Sequence, residues 1–540
     1  MSIIFTIKQK HLYLALGFVM CSQTIAATLP VGTMLASKQE LVRNNSAEPV
    51  SLDPQKVESD VEFNIISDFF DGLVSLDGNG KIEPRLADRW ENKNNVVWIF
   101  HLRPGIKWSN GEPITAQDVV FSWRRLVNPK TLSPNSSYLG NMHVLNAADI
   151  ALGKKTPDSL GIEALDDHTL QITLDQPIAY FLPMLARPLL VPINQKNIEK
   201  FGEKWTSPSN IVTSGAYKLS QWVVNEKIIG IRNQQYWDDT HTIINRVTYL
   251  PIVSDTASVN RYKAGEIDIS TISDILFKNL QQKLGTQVHI NPQLSIYYYE
   301  FNTTKPPFND PRVRLALNLG LDKDIIANKV LGEGQRPAWL ITPVHIGGMT
   351  FKEPDYANWS QEKRNLEAKK LLEQAGFNAS HPLTFKLLYN TSEGHQRIAI
   401  AANSIWKKNL GVEATLENQE WKTLLDTKRS KNYDVIRSGW TADYDDASSF
   451  LNNFITNDSN NSYGFSNVTF DDLMKQASQT TNIKDREILY QKAEDVLTHE
   501  IPAIPIYEYV TVKLVKPYVG GFKINNLGFY YTKDMYIIQH

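Results

Sequence analysis

One cysteine in 540 residues, Cys21, leaves no partner for an intramolecular disulfide. It sits inside an N-terminal leader, so the mature chain has no thiol nucleophile either, and its stability has to come from its core. The sequence contains no GxSxG, HExxH, P-loop or GxGxxG pattern, which removes the commonest hydrolase, metalloprotease and nucleotide-binding signatures. Its eleven histidines are scattered, none three or four apart, so no helical zinc site is written into them. Charge of one sign is missing too: 56 Lys and Arg balance 58 Asp and Glu, which leaves no basic footprint for nucleic acid. After residue 30 there is no apolar run of membrane-spanning length.

The first residues, MSIIFTIKQKHLYLALGFVMCSQTIAATLP, combine Lys8 and Lys10 with the apolar run Leu12 to Met20 and a small-residue stretch. That run is well short of the roughly 20 residues of a spanning helix. It reads as a secretory signal peptide over 1–26, cut between Ala26 and Ala27. Acylation at Cys21 is disfavoured because Met20, not a small residue, precedes it. Losing the two lysines moves the net charge from −2 to −4. With 42% apolar and 21% charged residues the composition is globular, and the length predicts several domains.

Local patterns are clear in places. VVWIFHL alternates as a strand, and Thr115 with Asp118 three residues on predicts a capping box opening a helix that carries Val119, Val120 and Trp123. Asp310 to Gly320 reads as helical, as does Gln361 to Ala375, where Ala368, Leu371 and Leu372 form a stripe that Gly376 ends. FKLLYN as strand, HQRIAIAANSIWKKNLG as helix and VEATLENQEW as strand predict an α/β layer with a largely parallel sheet. Ligands of such sheets sit at the carboxyl ends of strands. SGWTADYDDASSF, Ser438 to Phe450, follows the short apolar strand Tyr433 to Ile436 and so becomes the candidate site. Its acids lack EF-hand spacing. Asp445 and Asp446 read as solvated loop surface. Asp443, among Gly439, Trp440, Ala442 and Tyr444, reads as a partly buried carboxylate that needs a partner from another element or from a ligand.

Long segments carry a resemblance that covers the whole chain: LVRNNSAEPVSLDP, ADRWENKNNVVWIFHLRPGIKWSNGEPITAQDVVFSW, INRVTYLPI, YYYEFNTTKPPFNDPRVR, LLYNTSEGH, LGVEATLENQEWKTLLD, and the tail from LVKPYVGG to MYIIQH. The sequence resembles the periplasmic oligopeptide-binding proteins, the family-5 solute receptors of ABC importers. The resemblance implies a type II-like periplasmic binding protein: α/β, two lobes around a ligand cleft, and an accessory domain. Domain I is expected over 27–70, 191–294 and 511–540, domain II over 71–190 and domain III over 295–510. It implies a monomer, not an enzyme, that needs no cofactor and no metal. Such a receptor encloses short peptides in the periplasm and hands them to an inner-membrane permease driven by cytoplasmic ATPases.

Residue by residue, the resemblance implies that Asp443 pairs with the peptide α-amino group. Backbone contacts are implied from Gly439, Thr441 and the Glu58 to Asp60 segment. Side-chain pockets are implied at Trp421, Trp440, Leu425 and Tyr509, with Asn390 beside them in LLYNTSEGH. Spaced basic residues, Arg437, His395 and Lys428, are implied for the peptide carboxylate. Departures are visible as well. Leu331 stands where the oligopeptide receptors have a lysine, Asn135 and Gln293 stand at two ligand-facing tyrosines, and Ser295 with Thr441 replaces the family's disulfide. Leu331, Gln293 and DVIR resemble the murein-tripeptide-binding paralogue, while Gly439 and ADYDD resemble the general receptor. General peptides and a murein tripeptide therefore both stand as ligands. A secreted peptidase, or a haem-binding or chaperone-like receptor on the same scaffold, is a rival that only ligand and turnover measurements separate.

Overall fold

The computed structural model describes residues 29–540 apart from 58, 273 and 459. The expected leader with Cys21 and the Ala26/Ala27 junction lies outside the described residues, as do Glu58 and the side chain of Trp421.

In chain order the strands are β1 (Glu40–Asn44), β2 (Ala87–Lys93), β3 (Val97–Leu102), β4 (Ile162–Asp166), β5 (Thr169–Thr173), β6 (Tyr217–Val223), β7 (Lys227–Arg232) and β8 (Arg246–Leu250). They continue as β9 (Ile269–Thr271), β10 (Val288–Phe301), β11 (Thr384–Asn390), β12 (Glu413–Gln419), β13 (Val435–Thr441) and β14 (Ala503–Val515). Flanking helices include α1 (Asp60–Phe69), α2 (Ala116–Val127), α3 (Pro311–Gly320), α4 (Gln361–Gln374), α5 (Glu393–Leu410), α6 (Trp421–Arg429) and α7 (Ile483–Glu500).

Local chemistry explains the elements. In β3 the alternation turns Trp98, Phe100 and Leu102 inward. At the start of α2 the Asp118 carboxylate accepts the Thr115 backbone N–H at 2.8 Å, closing the predicted capping box. Helix α4 ends at Gln374, two residues before Gly376, whose φ of +94° favours a residue without Cβ. Strands β2, β3, β5 and β4 make a separate four-stranded antiparallel sheet against α2, all within the 71–190 segment.

The main sheet has 11 strands among the described residues, in the order β12-β11-β13-β10-β14-β9-β1-β8-β7-β6, with the two-residue strand Arg336–Pro337 against β14. It is mixed, which corrects the largely parallel expectation. Parallel pairing is confined to β1 with β8 and β9 and to β11 with β12 and β13. A hairpin (β6, β7) and two long strands running in opposite directions supply the rest.

Those two long strands organise the molecule. The first half of β10, Val288–Pro292, pairs with Leu514–Val510, and its second half, Ile296–Glu300, pairs with Glu508–Ala503. Between Pro292 and Ile296 the register shifts. Proline has no N–H for the ladder, and the Leu294 N–H turns away to the Asn526 carbonyl at 2.8 Å. The first half of this ribbon joins the β9-β1 side and the second half joins β13. The expected domain boundaries at 294/295 and 510/511 fall in this crossing. Alternation through YYY then feeds two cores, with Tyr297, Tyr299 and Phe301 in one and Leu294, Ile296 and Tyr298 in the other.

On the β1 side the C-terminal tail is held by charge. Arg43 and Asp68, each 1% exposed, pair at 3.1 Å, and Asp68 also accepts from Tyr249 Oη at 2.5 Å and the Thr532 N–H at 2.9 Å. One carboxylate thus ties β1, α1, β8 and the tail. Removing it by Asp68→Ala would leave a buried guanidinium unpaired, and is expected to cost about 3–5 kcal/mol, read as a lower urea midpoint. An unchanged midpoint would show that the pair does not hold these elements together.

Candidate functional site

Strand β13 runs further than its sequence suggested, through Gly439 and Trp440 to Thr441, so these residues lie in a strand and not in a loop. One edge is paired with β10 along its whole length. The other meets β11 only at Leu387↔Val435 and Leu388↔Ile436. From Arg437 to Thr441 that second edge has no strand partner among the described residues. At its tip, Ser295 and Thr441 lie opposite each other and their hydroxyls are 2.8 Å apart. A Cβ on Gly439 would lie 3.6 Å from Arg437 Nη2 and 3.8 Å from Tyr509 Oη, so the backbone approaches both side chains closely.

The three acids beyond β13 separate clearly. Asp446 is 1% exposed and bound by Arg486 at 3.1 Å and Tyr490 Oη at 2.9 Å, both from α7. Asp445 accepts the Gly347 N–H at 2.6 Å and Asn526 Nδ2 at 2.9 Å. Neither is solvated loop surface, which corrects that expectation: the turn folds inward onto α7 and the tail, and both carboxylates become struts. Asp443 is left. Its side chain is 46% exposed, and its one ion-pair partner among the described residues is Arg187, with Nη2 at 3.9 Å. Protein crowds the carboxyl enough that desolvation pushes its pKa up, against the pull of Arg187.

At the other end of the free edge stands Arg437. Its guanidinium donates to Tyr509 Oη at 2.9 Å and Asn390 Oδ1 at 3.3 Å, and lies 4.8 Å from the Tyr297 ring centre. No carboxylate lies within 4 Å of it among the described residues, and its Nε is buried without a partner. Asn390 is the last residue of β11, at the carboxyl end where ligands of α/β sheets sit. His395 packs on Tyr297 with its Nδ1 buried and unpartnered. Burial first and Arg437 second lower its pKa to about 4, so it is a neutral ring at neutral pH and not the cation its sequence suggested.

Lys428 projects on the opposite face of β13. Its Nζ is 2.5 Å from Glu300, which is fully buried, and donates to Ser438 Oγ at 2.8 Å, so its charge is already balanced. There Leu425, Lys428 and Trp440 border a cavity of about 680 Å³ whose wall is rich in amides, among them Asn453, Asn457 and Asn461. Asn135 donates to the Val57 carbonyl at 2.8 Å and so props the segment before Asp60, the first residue of α1. Gln293 lies in the irregular stretch of β10, its Nε2 close to Gly528. Leu331 packs against the second core.

Two participants went unread in the sequence. Glu300 cancels Lys428 from across the sheet, and Arg187 faces Asp443 from far along the chain. The signal for Arg187 was available: a lone cation in the apolar run YFLPMLARPLLVPI. Among the described residues no group of acids, histidines or cysteines could hold a metal ion, and no helix is long and apolar enough to cross a membrane.

Residues 81–462 match the family described as bacterial extracellular solute-binding proteins, family 5, middle portion. The chain is 50% identical to the periplasmic oligopeptide-binding protein OppA of Salmonella typhimurium over 97% of each chain. It is 44% identical to the periplasmic murein peptide-binding protein MppA of Escherichia coli, over 96% of this chain and 97% of that one. Among solved structures, the unliganded open form of the murein tripeptide-binding protein MppA superposes with a TM-score of 0.86 at 44% identity, covering 95% of this chain and 99% of the other.

The state of His395 can be measured. Its imidazole resonances are expected to titrate near pH 4 in the folded protein, whereas the unfolded ring titrates near 6.5. The unfolded state therefore binds the extra proton first, and this group withdraws stability as pH falls from about 6.5 towards 4. A midpoint near 6.5 in the folded protein would show that the corner is solvated.

Proposed function

The chain belongs to the family 5 bacterial extracellular solute-binding proteins, and on that premise we propose that it is the peptide-binding component of an ABC importer. It acts in the periplasm, after removal of the leader between Ala26 and Ala27, as a monomer. It encloses short peptides between the two halves joined by β10 and β14 and delivers them to an inner-membrane permease. Three domains follow the boundaries at 70, 190, 294 and 510, with closure at the β10/β14 crossing.

One observation carries this reading: an under-paired carboxylate and an under-paired guanidinium stand at opposite ends of an unpartnered strand edge. Peptides of any sequence share an ammonium, a carboxylate and a backbone. The edge Arg437 to Thr441 supplies hydrogen bonds to the backbone by strand addition. Asp443, just past the tip, receives the ammonium, and Arg437, with neutral His395 and Asn390 beside it, receives the carboxylate. Extended ligands of three to five residues span about 10–17 Å, a length that the edge and the two reaching side chains accommodate. Ser59 and Asp60 face the ligand from the other half. Side chains enter the amide-lined cavity beside Trp440 and Leu425, where water fills what they leave. Tyr509 lines a neighbouring pocket, with Gln293 and Asn135 at the rim.

The murein tripeptide reading asks for one more cation, to meet the extra carboxylate of such a ligand. Lys428 is held by Glu300, which favours general peptides.

Calorimetry with tri-alanine and its N-acetyl form tests the role of Asp443. A hydrogen bond to a charged group is worth about 1.5–3 kcal/mol, so acetylation, which forfeits the ammonium contact to Asp443, is expected to weaken binding about ten- to hundredfold, and Asp443→Asn to abolish that difference. Equal affinity for the two peptides would remove Asp443 from the site. The double variant Lys428→Met/Glu300→Gln, which removes both charges of the pair together, is expected to change tri-alanine affinity by no more than a few-fold, since the pair is already neutral. Mass spectrometry should recover the peptide intact, and cleavage products would overturn the binding-protein reading.

A further inference from the structure

Arg187 lies between the helix Phe181–Leu185 and the turn Pro188–Leu190. It is a cation without the partners a buried cation usually has. Its side chain is 17% exposed, its guanidinium lies 5.3 Å from the Phe63 ring centre, and its Nε is buried with no hydrogen bond. The contact to Asp443, at 3.9 Å, is an ion pair too long to be a hydrogen bond. Asp60 stands on α1, on the β1 half of the sheet, whereas Asp443 stands beyond β13 on the other half. Arg187 is the strongest favourable charge that Asp60 feels, ahead of Lys513. Tyr138, whose hydroxyl donates to the Met184 carbonyl at 3.1 Å, senses both Arg187 and Asp443. One guanidinium thus acts electrostatically on two carboxylates from the two halves of the molecule and, among the described residues, is hydrogen-bonded to neither.

We propose that Arg187 is a resident counter-ion that the ligand must displace: in the empty site it balances Asp443, and when the ligand's ammonium arrives it passes to Asp60. This rests on the peptide reading of the site. Binding the ammonium is then an exchange of cations and not an addition. The occupied corner carries two negative and two positive charges in alternation, Asp60, Arg187, Asp443 and ammonium, and is neutral. A ligand whose amine is blocked leaves Arg187 on Asp443 and gains nothing there. A small amine has to compete with an internal cation and has no backbone contacts to help it, so Arg187 sets a threshold that favours peptides over simple amines.

Removing the competitor and removing its alternative seat should act in opposite directions. In calorimetry at low and at moderate salt, Arg187→Gln is expected to bind tri-alanine about five- to tenfold more tightly than wild type, with the larger gain at low salt, while N-acetyl-tri-alanine changes by less than twofold. Asp60→Asn, which leaves Arg187 on Asp443, is expected to weaken tri-alanine by a similar factor. Propylamine, undetectable with wild type, should register with Arg187→Gln. Arg187→Gln that binds tri-alanine equally or more weakly, with wild type binding normally, overturns the exchange alone. Wild type that binds neither tripeptide overturns the peptide reading and this inference together. Both variants keep every hydrogen bond described for the fold, and matching thermal transitions confirm that affinities compare folded proteins.

Discussion

Among the described residues, two strands, β10 and β14, form the ladder that joins the halves of the main sheet, and the rest of the architecture depends on their pairing. Their pairing lets one continuous sheet carry two cores, because alternate residues of the same strand serve opposite faces. The interruption after Pro292 matters as much as the pairing itself. A ladder with perfect register would be stiff along its length, and the missing bonds between Pro292 and Ile296 place the compliant point between the halves.

The distribution of charge follows the same economy. Most buried ions are matched inside the protein: Arg43 with Asp68, Arg85 with Asp71, Arg486 with Asp446, Lys428 with Glu300. Each pair repays desolvation only because its geometry is good. Against that background Arg437 has no carboxylate beside it among the described residues, and Asp443 shares a distant one-armed contact with Arg187. These unmatched ions at the two ends of an unpaired strand edge are the seats we propose for the two ends of a zwitterionic chain, whose groups would supply the missing partners from solution.

Much of the fold was legible because its signals are local. Thr115 with Asp118, Gly376 after an apolar stripe, and the alternation of Trp98, Phe100 and Leu102 act within a turn or a strand, and the structure has all three. Asp443 was separable from its neighbours because its own surroundings are apolar. What went unread is long-range. The burial of Asp445 and Asp446 depends on Asn526 and Arg486, about 80 and 40 residues away. The neutral state of His395 depends first on its burial and then on Arg437, and the pairing of Lys428 on Glu300. Strand β13 looked short because Gly439 and Thr441 resemble loop residues, whereas its length is enforced by β10 across the ladder. The largely parallel expectation failed for a related reason: strand-helix-strand order predicts the β11-β12 corner, not the two antiparallel strands that cross the molecule.

The hydroxyl pair of Ser295 and Thr441 has a consequence for where this site can mature. It joins the tip of the free edge to β10 at a position directly across the ladder, and it does so with a hydrogen bond. A covalent link there would make the edge's final shape depend on an oxidant and vulnerable to a reductant. With oxygen on both sides, the receptor's working edge assembles in reducing and oxidising surroundings alike, and its order depends on folding alone.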